Sequence, residues 1–345
     1  MPDSVQYTLL RTTKALRAFA PQWTALWQQD QDATPFQRPE WLLPWWHQFH
    51  GSELRAVTIT KDGTLLGFLP FYLYQEPRTR ERQLLPLGVG TTDYLNGVFA
   101  PDCMVSQIRR GIEMVCAEDG WDTLYASDLP LHSKLAQALE SLAEPEERFA
   151  SEGCSRMAAV PIAALPQKIR RNAMYYRNRA RRQGSLELTV ADASSWAESF
   201  DALVRLHTER WGQNGENGVL ADPRVLAWHR EVLPLLEQNG CLRLCTLRLE
   251  GEIIAVLYAL VDPPSRPSRT QYFYLTAYSI HHADLRPGTL LLALAIEHAA
   301  NEGVATIDML RGDEAYKQLW HLERAPTRGF ALRRSSIGKM AGVAA

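Results

Sequence analysis

The chain has 345 residues, with 37 Lys+Arg against 39 Asp+Glu, a formal charge of -2 and 46% hydrophobic residues. These values exclude a disordered, fibrous or fully membrane-embedded protein and fit one large or two medium globular domains. The near-zero net charge gives no global electrostatic reason to expect a nucleic-acid binder, so no DNA partner is expected, although one local basic patch occurs.

The N-terminal stretch MPDSVQYTLLRTTKALRAFA lacks the unbroken apolar run of a secretory leader, and no run of about 18 apolar residues occurs further on. A cytoplasmic protein without membrane insertion is the expectation. In PFQRPEWLLPWW, Trp41, Trp45 and Trp46 fall at helical spacing and read as core rather than as a platform for stacking sugars. The segment VTITKDGTLLGFLPFYL, from Val57, is two apolar runs joined by a charged Asp62-Gly63 turn, which predicts a β-hairpin. The LGVGTTDY turn that follows lacks GK[ST] and is not a phosphate loop. Asp93 and Tyr94 at its end are candidates for binding a polar acceptor, with an ordinary turn aspartate as the alternative. The five cysteines, Cys103, Cys116, Cys154, Cys241 and Cys245, show no metal-ligand spacing and read as buried free thiols, with no metal site. Cys241 and Cys245 lie ~13 Å apart at strand rise, too far for a disulfide.

An internal repeat organises the chain. CTLRLEGEIIAVLYALV, from Cys245, matches the first hairpin at an offset of 188 residues, with Glu250-Gly251 as its turn. An apolar helical stretch ends in EDGWDTLY (Glu118 to Tyr125) in the first half and in NEGVATID (Asn301 to Asp308) in the second, at an offset of 183, with Gly120 and Gly303 as C-caps before a strand. Two copies of one α/β domain with mixed sheets are the economical reading, with a junction between Pro145 and Pro166.

In the second half, KIRRNAMYYRNRARR (168 to 182) reads as a helix with seven Lys/Arg and no acid, closed by Gly184. Helices follow around Trp196 to Trp211 and Pro223 to Glu237, separated by a Gly- and Asn-rich loop from Gly212 to Gly218. His207 and Trp211, four apart on the first of these helices, are either a packed pair or part of a substrate site. After the hairpin come a strand at Thr270 to Tyr278, a helix from about Thr289, a strand near Thr306 to Leu310, a short helix over Asp313 to Trp320 and a last strand near Gly329 to Arg334. This order implies a mixed sheet flanked by helices.

Two places suit chemistry. The helix that begins after Arg286-Pro287-Gly288 exposes unpaired backbone N–H groups and the positive end of its dipole. Gly288 there admits a close approach to the backbone, and Arg286 adds a charge suited to phosphate; a plain Pro-Gly turn is the alternative. In IDMLRGDEAYKQLW, a strand ending in Asp308 leads through Arg311-Gly312 to a helix on which Tyr316, Leu319 and Trp320 share a face and Lys317 borders it. A lysine held by packed aromatics could aim its ammonium at a reaction centre, the alternative being an exposed helix lysine. No GxSxG or Cys-His nucleophile motif is visible, which favours direct transfer over an acyl-enzyme.

Taken together, LRPGTLLL, AIEHAANEG and IDMLRGDEAYKQLW resemble the C-terminal signature of the GNAT-like acyltransferases often linked to cellulose and exopolysaccharide biosynthesis, which are similar in fold to the Fem-type aminoacyltransferases. The resemblance implies two tandem GNAT-fold domains with the catalytic cleft where they meet: residues 1–155 as a degenerate copy for acceptor recognition, and 156–345 for donor binding and catalysis. By the same analogy the last strand returns to the first domain. The donor would be acetyl-CoA or another acyl-CoA, as co-substrate and not as a permanently bound cofactor. Arg286, Pro287, Gly288, Thr289 and Tyr274 would hold it, although of the family's Gln/Arg-x-x-Gly-x-Gly/Ala loop only Arg286 and Gly288 are kept. Lys317 would stabilise charge, with Asp308 and Tyr316 beside it. The proton acceptor stays open among Asp308, His207, Asp93 and Glu314. Asp93, Tyr94, His207, Trp211 and Arg311 would meet the acceptor, an amine or hydroxyl of a saccharide or cell-envelope precursor. The alternatives are a tRNA-dependent Fem-type aminoacyltransferase, for which the basic helix is the discriminating feature, and a catalytically silent binding module. The oligomeric state stays unassigned.

Overall fold

A computed structural model describes residues 5–50, 53–213 and 215–335. The chain divides into two compact units, one of residues 1–153 with 325–345, the other Cys154–Arg324. The terminal residues 1–4 and 336–345, and Asn214 of the expected loop, lie outside the described residues. Residues 156–345 were expected as the second domain with the last strand returning to the first; Thr327–Arg333 pairs antiparallel with Thr123–Pro130 inside the first unit.

The first unit has a four-stranded sheet, Val5–Leu10, Ala56–Lys61, Thr64–Leu69 and Val98–Phe99 in spatial order, and a six-stranded one in which Thr123–Pro130 lies parallel to Arg82–Pro86. Trp41, Trp45 and Trp46 sit on the helix Pro39–Phe49 and are buried, as their spacing predicts. All five cysteines are free and buried, and burial pushes the thiols of Cys103 to about 11 and of Cys116 and Cys245 to about 12.

In the second unit a seven-stranded sheet runs in the order Leu186–Val190, Leu242–Leu249, Glu252–Val261, Thr270–Tyr278, Thr306–Asp308, Cys154–Ala158 and Glu323–Ala325. Its third strand, Glu252–Val261, is apolar without alternation from Ile253 to Val261 and buried throughout that stretch, as expected for a strand covered on both faces. The helix Pro287–Asn301 packs on one face, where Leu290, Leu291, Ala293 and Ile296 join Ile254, Leu257 and Ala259 in the core. The helix Trp196–Gly212 packs on the strands Glu252–Val261 and Thr270–Tyr278.

The repeat reaches the backbone. Both hairpin turns are left-handed at both central residues, with φ of 50° and 80° at Asp62-Gly63 and of 50° and 83° at Glu250-Gly251. That is the turn whose twist matches paired strands. Each hairpin also carries a one-residue bulge, at Leu66 and at Ile254, the same 188 residues apart. Gly120 and Gly303 end their helices at φ of 81° and 76°.

Two expected elements are shorter. The strand expected to reach Leu310 stops at Asp308, since Leu310 turns to a φ of 58°. The helix expected over Asp313 to Trp320 is only a 3-10 turn, Lys317–Trp320, preceded by Gly312 at a φ of 105°. Among the described residues no helix is long and apolar enough to cross a membrane, and no group of three or more His, Cys, Asp and Glu could hold a metal ion.

Candidate functional site

The site grows out of one strand. Thr270–Tyr278 pairs in parallel with Thr306–Asp308 only from Thr270 to Tyr272, and its ladder with Glu252–Val261 skips Tyr274 between Phe273 and Leu275. A bulge bends and over-twists its strand. Beyond it the strand keeps its partner on one side, while on the other Thr306–Asp308 has already ended level with Tyr272, which leaves a gap, the split, along that edge.

The orientation of the peptides along the split follows from one hydrogen bond. Ser279 N–H donates to the Ile254 carbonyl at 2.8 Å. Hydrogen-bonded and non-hydrogen-bonded pairs alternate in an antiparallel ladder, so Ala277 and Leu275 also face the paired strand, whereas Thr276 and Tyr278 turn their N–H and C=O groups to the split side. Tyr274, Leu275, Thr276 and Tyr278 all keep part of their surface accessible. Behind them, Tyr274 packs edge-on against His229 and Tyr258, with ring centroids 5.7 and 5.4 Å away.

The same strand leads through Ser279 and the short turn Ala283–Leu285 to the helix Pro287–Asn301. Arg286 stands at its N-cap in the left-handed region, φ 47°, with its side chain exposed, and no side chain caps the helix. Pro287 is buried at the first helical position, where its missing N–H costs nothing, and Gly288 and Thr289 follow, half-buried. A Cβ on Gly288 would lie 2.9 Å from Cδ1 of Tyr278. The glycine therefore accommodates a tyrosine ring, where a direct approach by a ligand was expected. The Arg210 guanidinium lies 4.7 Å from the centroid of that ring, a cation–π contact.

Arg210 also ties in two of the expected residues. It holds Tyr316 down against partial burial and Glu314, which together raise that phenol to about 12, and it adds to the burial that lowers His207. His207 is buried and packs against Trp211 at 5.9 Å between centroids. Both rings lie on the backbone of Gly218, where any Cβ would clash with them. Tyr316 is 44% exposed, so it does not pin the short helix as expected; Trp320, buried in the core, does.

Lys317 departs most from expectation. Its ammonium is buried and donates to the carbonyls of Leu310 at 3.3 Å, Gly312 at 3.2 Å and Arg311, with the Glu314 carboxylate 2.9 Å away. Its donors are used to close the 310–317 loop. Asp308 acts from the other side of that loop. Fully buried, it accepts from Leu310 N–H at 2.8 Å through Oδ1 and from Arg156 Nε at 2.7 Å through Oδ2. Arg311 lies on the braced loop, half-buried. Asp93 and Tyr94 belong to the first unit and are buried, the Tyr94 carbonyl accepting from the Gln37 side chain.

The structure thus brings together Gly288, Tyr278, Arg210, His207 and Tyr316, with Lys317 and Asp308 bracing the adjoining loop. Arg210, Arg156 and the ring of Tyr278 were missed in the sequence, which offered only the backbone N–H groups near Tyr274 to Tyr278 as donors to an oxyanion. Tyr278 ends the aromatic strand and Arg210 adjoins Trp211, which were the only signals; Arg156 has none.

Residues 167–318 match the family model described as an acetyltransferase (GNAT) domain. No curated protein matches the chain. Among solved structures, FemX superposes with a TM-score of 0.63 at 10% identity, over 98% of this chain and 99% of its own. L-PGS from Bacillus licheniformis gives 0.58 at 12%, over 94% of each chain. A tandem GNAT protein from the clavulanic acid biosynthesis pathway gives 0.51 at 12%, over 96% of this chain and 99% of its own. The fold is that of tandem GNAT proteins, and the stretch that matches the acetyltransferase (GNAT) domain lies within the second unit.

Proposed function

We propose that the chain moves an acyl group from acetyl-CoA or another acyl-CoA to an amine or hydroxyl of a saccharide or cell-envelope precursor, by direct attack. The observation that supports this most is the split beside Thr270–Tyr278, with the peptides of Thr276 and Tyr278 turned into it and a helix start at the end of the same strand. An extended amide-bearing arm of a donor pairs naturally with such an edge. The donor's phosphates then fall to the N–H groups of Gly288 and Thr289, the helix dipole and the exposed Arg286.

The acceptor's nitrogen or oxygen attacks the thioester carbonyl carbon, and the carbonyl electrons move to oxygen as an oxyanion. Strand N–H groups along the split stabilise that oxygen. Collapse of the intermediate breaks the C–S bond, CoA leaves as thiolate, and the proton lost by the acceptor balances it. Asp308 and Glu314 are engaged in ion pairs with Arg156 and Lys317. His207, kept neutral by burial and by Arg210, is the group we assign to accept that proton. The first unit, whose helix Val105–Ala117 lacks a Pro-Gly start, is assigned to acceptor recognition.

Calorimetric titration with acetyl-CoA tests the donor. A saturable one-to-one binding heat, weakened roughly tenfold in Arg286→Ala by loss of a charge-assisted phosphate contact, is the expected result. No heat from a folded sample would overturn the reading.

A further inference from the structure

The helix Gln167–Arg181 buries one side and leaves the other bare. Ile169, Ala173 and Ala180 lie in the core of the second unit. At 100° per residue they fall within a 40° arc, and the exposed residues fall opposite: Lys168, Arg171, Arg181 and Arg182 are the cations there, and Met174 and Tyr175 stand among them. Met174 and Tyr175 are 56% and 58% exposed, and among the described residues they are the only two large exposed apolar side chains adjacent in sequence. No acid shares the face. Arg179, on its border, pairs with Asp284 at 2.7 Å, but none of the four outward cations makes an ion pair among the described residues.

We propose that this face docks on the surface of an anionic lipid bilayer. Four cations on one exposed helical face complement a negative headgroup layer. A convex single-helix surface does not track a nucleic-acid backbone as a basic groove does. Met174 has no stacking face for a base, but beside Tyr175 it gives an apolar pair that can sit at the acyl–headgroup boundary while arginines on either side extend to phosphates. The docking is peripheral, and it stands whether or not the acyl donor is a CoA thioester.

Sedimentation with vesicles tests it, using the full chain, phosphatidylcholine alone, and phosphatidylcholine with about a third phosphatidylglycerol, at about 0.1 M salt. The expected result is binding to the anionic vesicles only, reduced by added salt and lowered at least tenfold in Arg171→Glu/Arg181→Glu. Met174→Ala/Tyr175→Ala should weaken it severalfold with the thermal melt unchanged. Bulk tRNA serves as the second probe. No sedimentation with anionic vesicles, sedimentation indifferent to both double variants, or charge-reversal-sensitive binding to tRNA without binding to vesicles would each overturn the proposal.

Discussion

Arg156 and Asp308, 152 residues apart in the chain, meet across neighbouring antiparallel strands with Nε 2.7 Å from Oδ2. The same carboxylate accepts the N–H of Leu310, whose φ of 58° places a branched residue in the left-handed region. One buried acid thus ties a strand end to a strained turn.

Replacing Asp308 by alanine removes both bonds from a fully buried position, although Arg156 itself is 41% exposed and recovers solvation. The expected cost is about 2–3 kcal/mol in urea unfolding, below the figure for a wholly buried pair. Asp308→Asn, which keeps an acceptor for Leu310 N–H, should cost less. Equal losses in the two variants would show that the Leu310 bond contributes nothing.

Lys317→Ala leaves the carbonyls of 310, 311 and 312 without their common donor. A loss of about 1–3 kcal/mol in stability is expected, with faster exchange of amides in the 310–316 loop. Lys317→Arg should not restore it, because a planar fork cannot converge three donors on one turn of backbone. Unchanged stability in the alanine variant would return the ammonium to the role the sequence suggested.

Gly288→Ala sets a methyl 2.9 Å from the Tyr278 ring and should cost about 1–3 kcal/mol through displaced packing. In a Tyr278→Ala background the same change should be nearly free. Additive losses in the double variant would place the strain elsewhere.

The pH dependence of stability has two opposed contributions in this unit. Burial alone pushes the His229 imidazole from 6.5 to about 3. The unfolded chain then binds more protons between those values, so this residue's stabilisation is present above pH 6.5 and is lost as the pH falls toward 3. Burial raises the Asp262 carboxyl from 3.8 to about 6, against the Thr270 N–H bond that lowers it. There the folded chain binds more protons, and acidification from 6 toward 3.8 relieves a penalty. Thermal melts from pH 7 to 4 should fall overall, fall less steeply in His229→Phe and more steeply in Asp262→Asn. The reverse order would contradict the burial of both groups.

The punctuation of the fold was readable because glycine and proline report backbone conformation directly. Asp62-Gly63 and Glu250-Gly251 fix their turns, Gly120 and Gly303 end their helices, and Pro287 begins one. The site was less readable, since its decisive contacts join distant residues. Tyr278 over Gly288, Arg210 over Tyr278 and Arg156 on Asp308 leave no periodicity. The aromatic spacing of Tyr316 and Trp320 suggested a packed helix, but three backbone carbonyls compete for the Lys317 ammonium and Gly312 turns the chain the other way. The bulge at Tyr274, which accompanies the split, lies in a stretch whose alternation looks regular.

Amide hydrogen exchange of the full chain with and without acetyl-CoA tests the donor site most directly. Thr276 and Tyr278 should slow at least tenfold on adding the ligand, together with Gly288 and Thr289, while Leu275 and Ala277, already paired with Glu252–Val261, should change little. Protection absent from Thr276 and Tyr278 under saturating acetyl-CoA, or spread equally over both sets, would contradict a donor lying along the split strand.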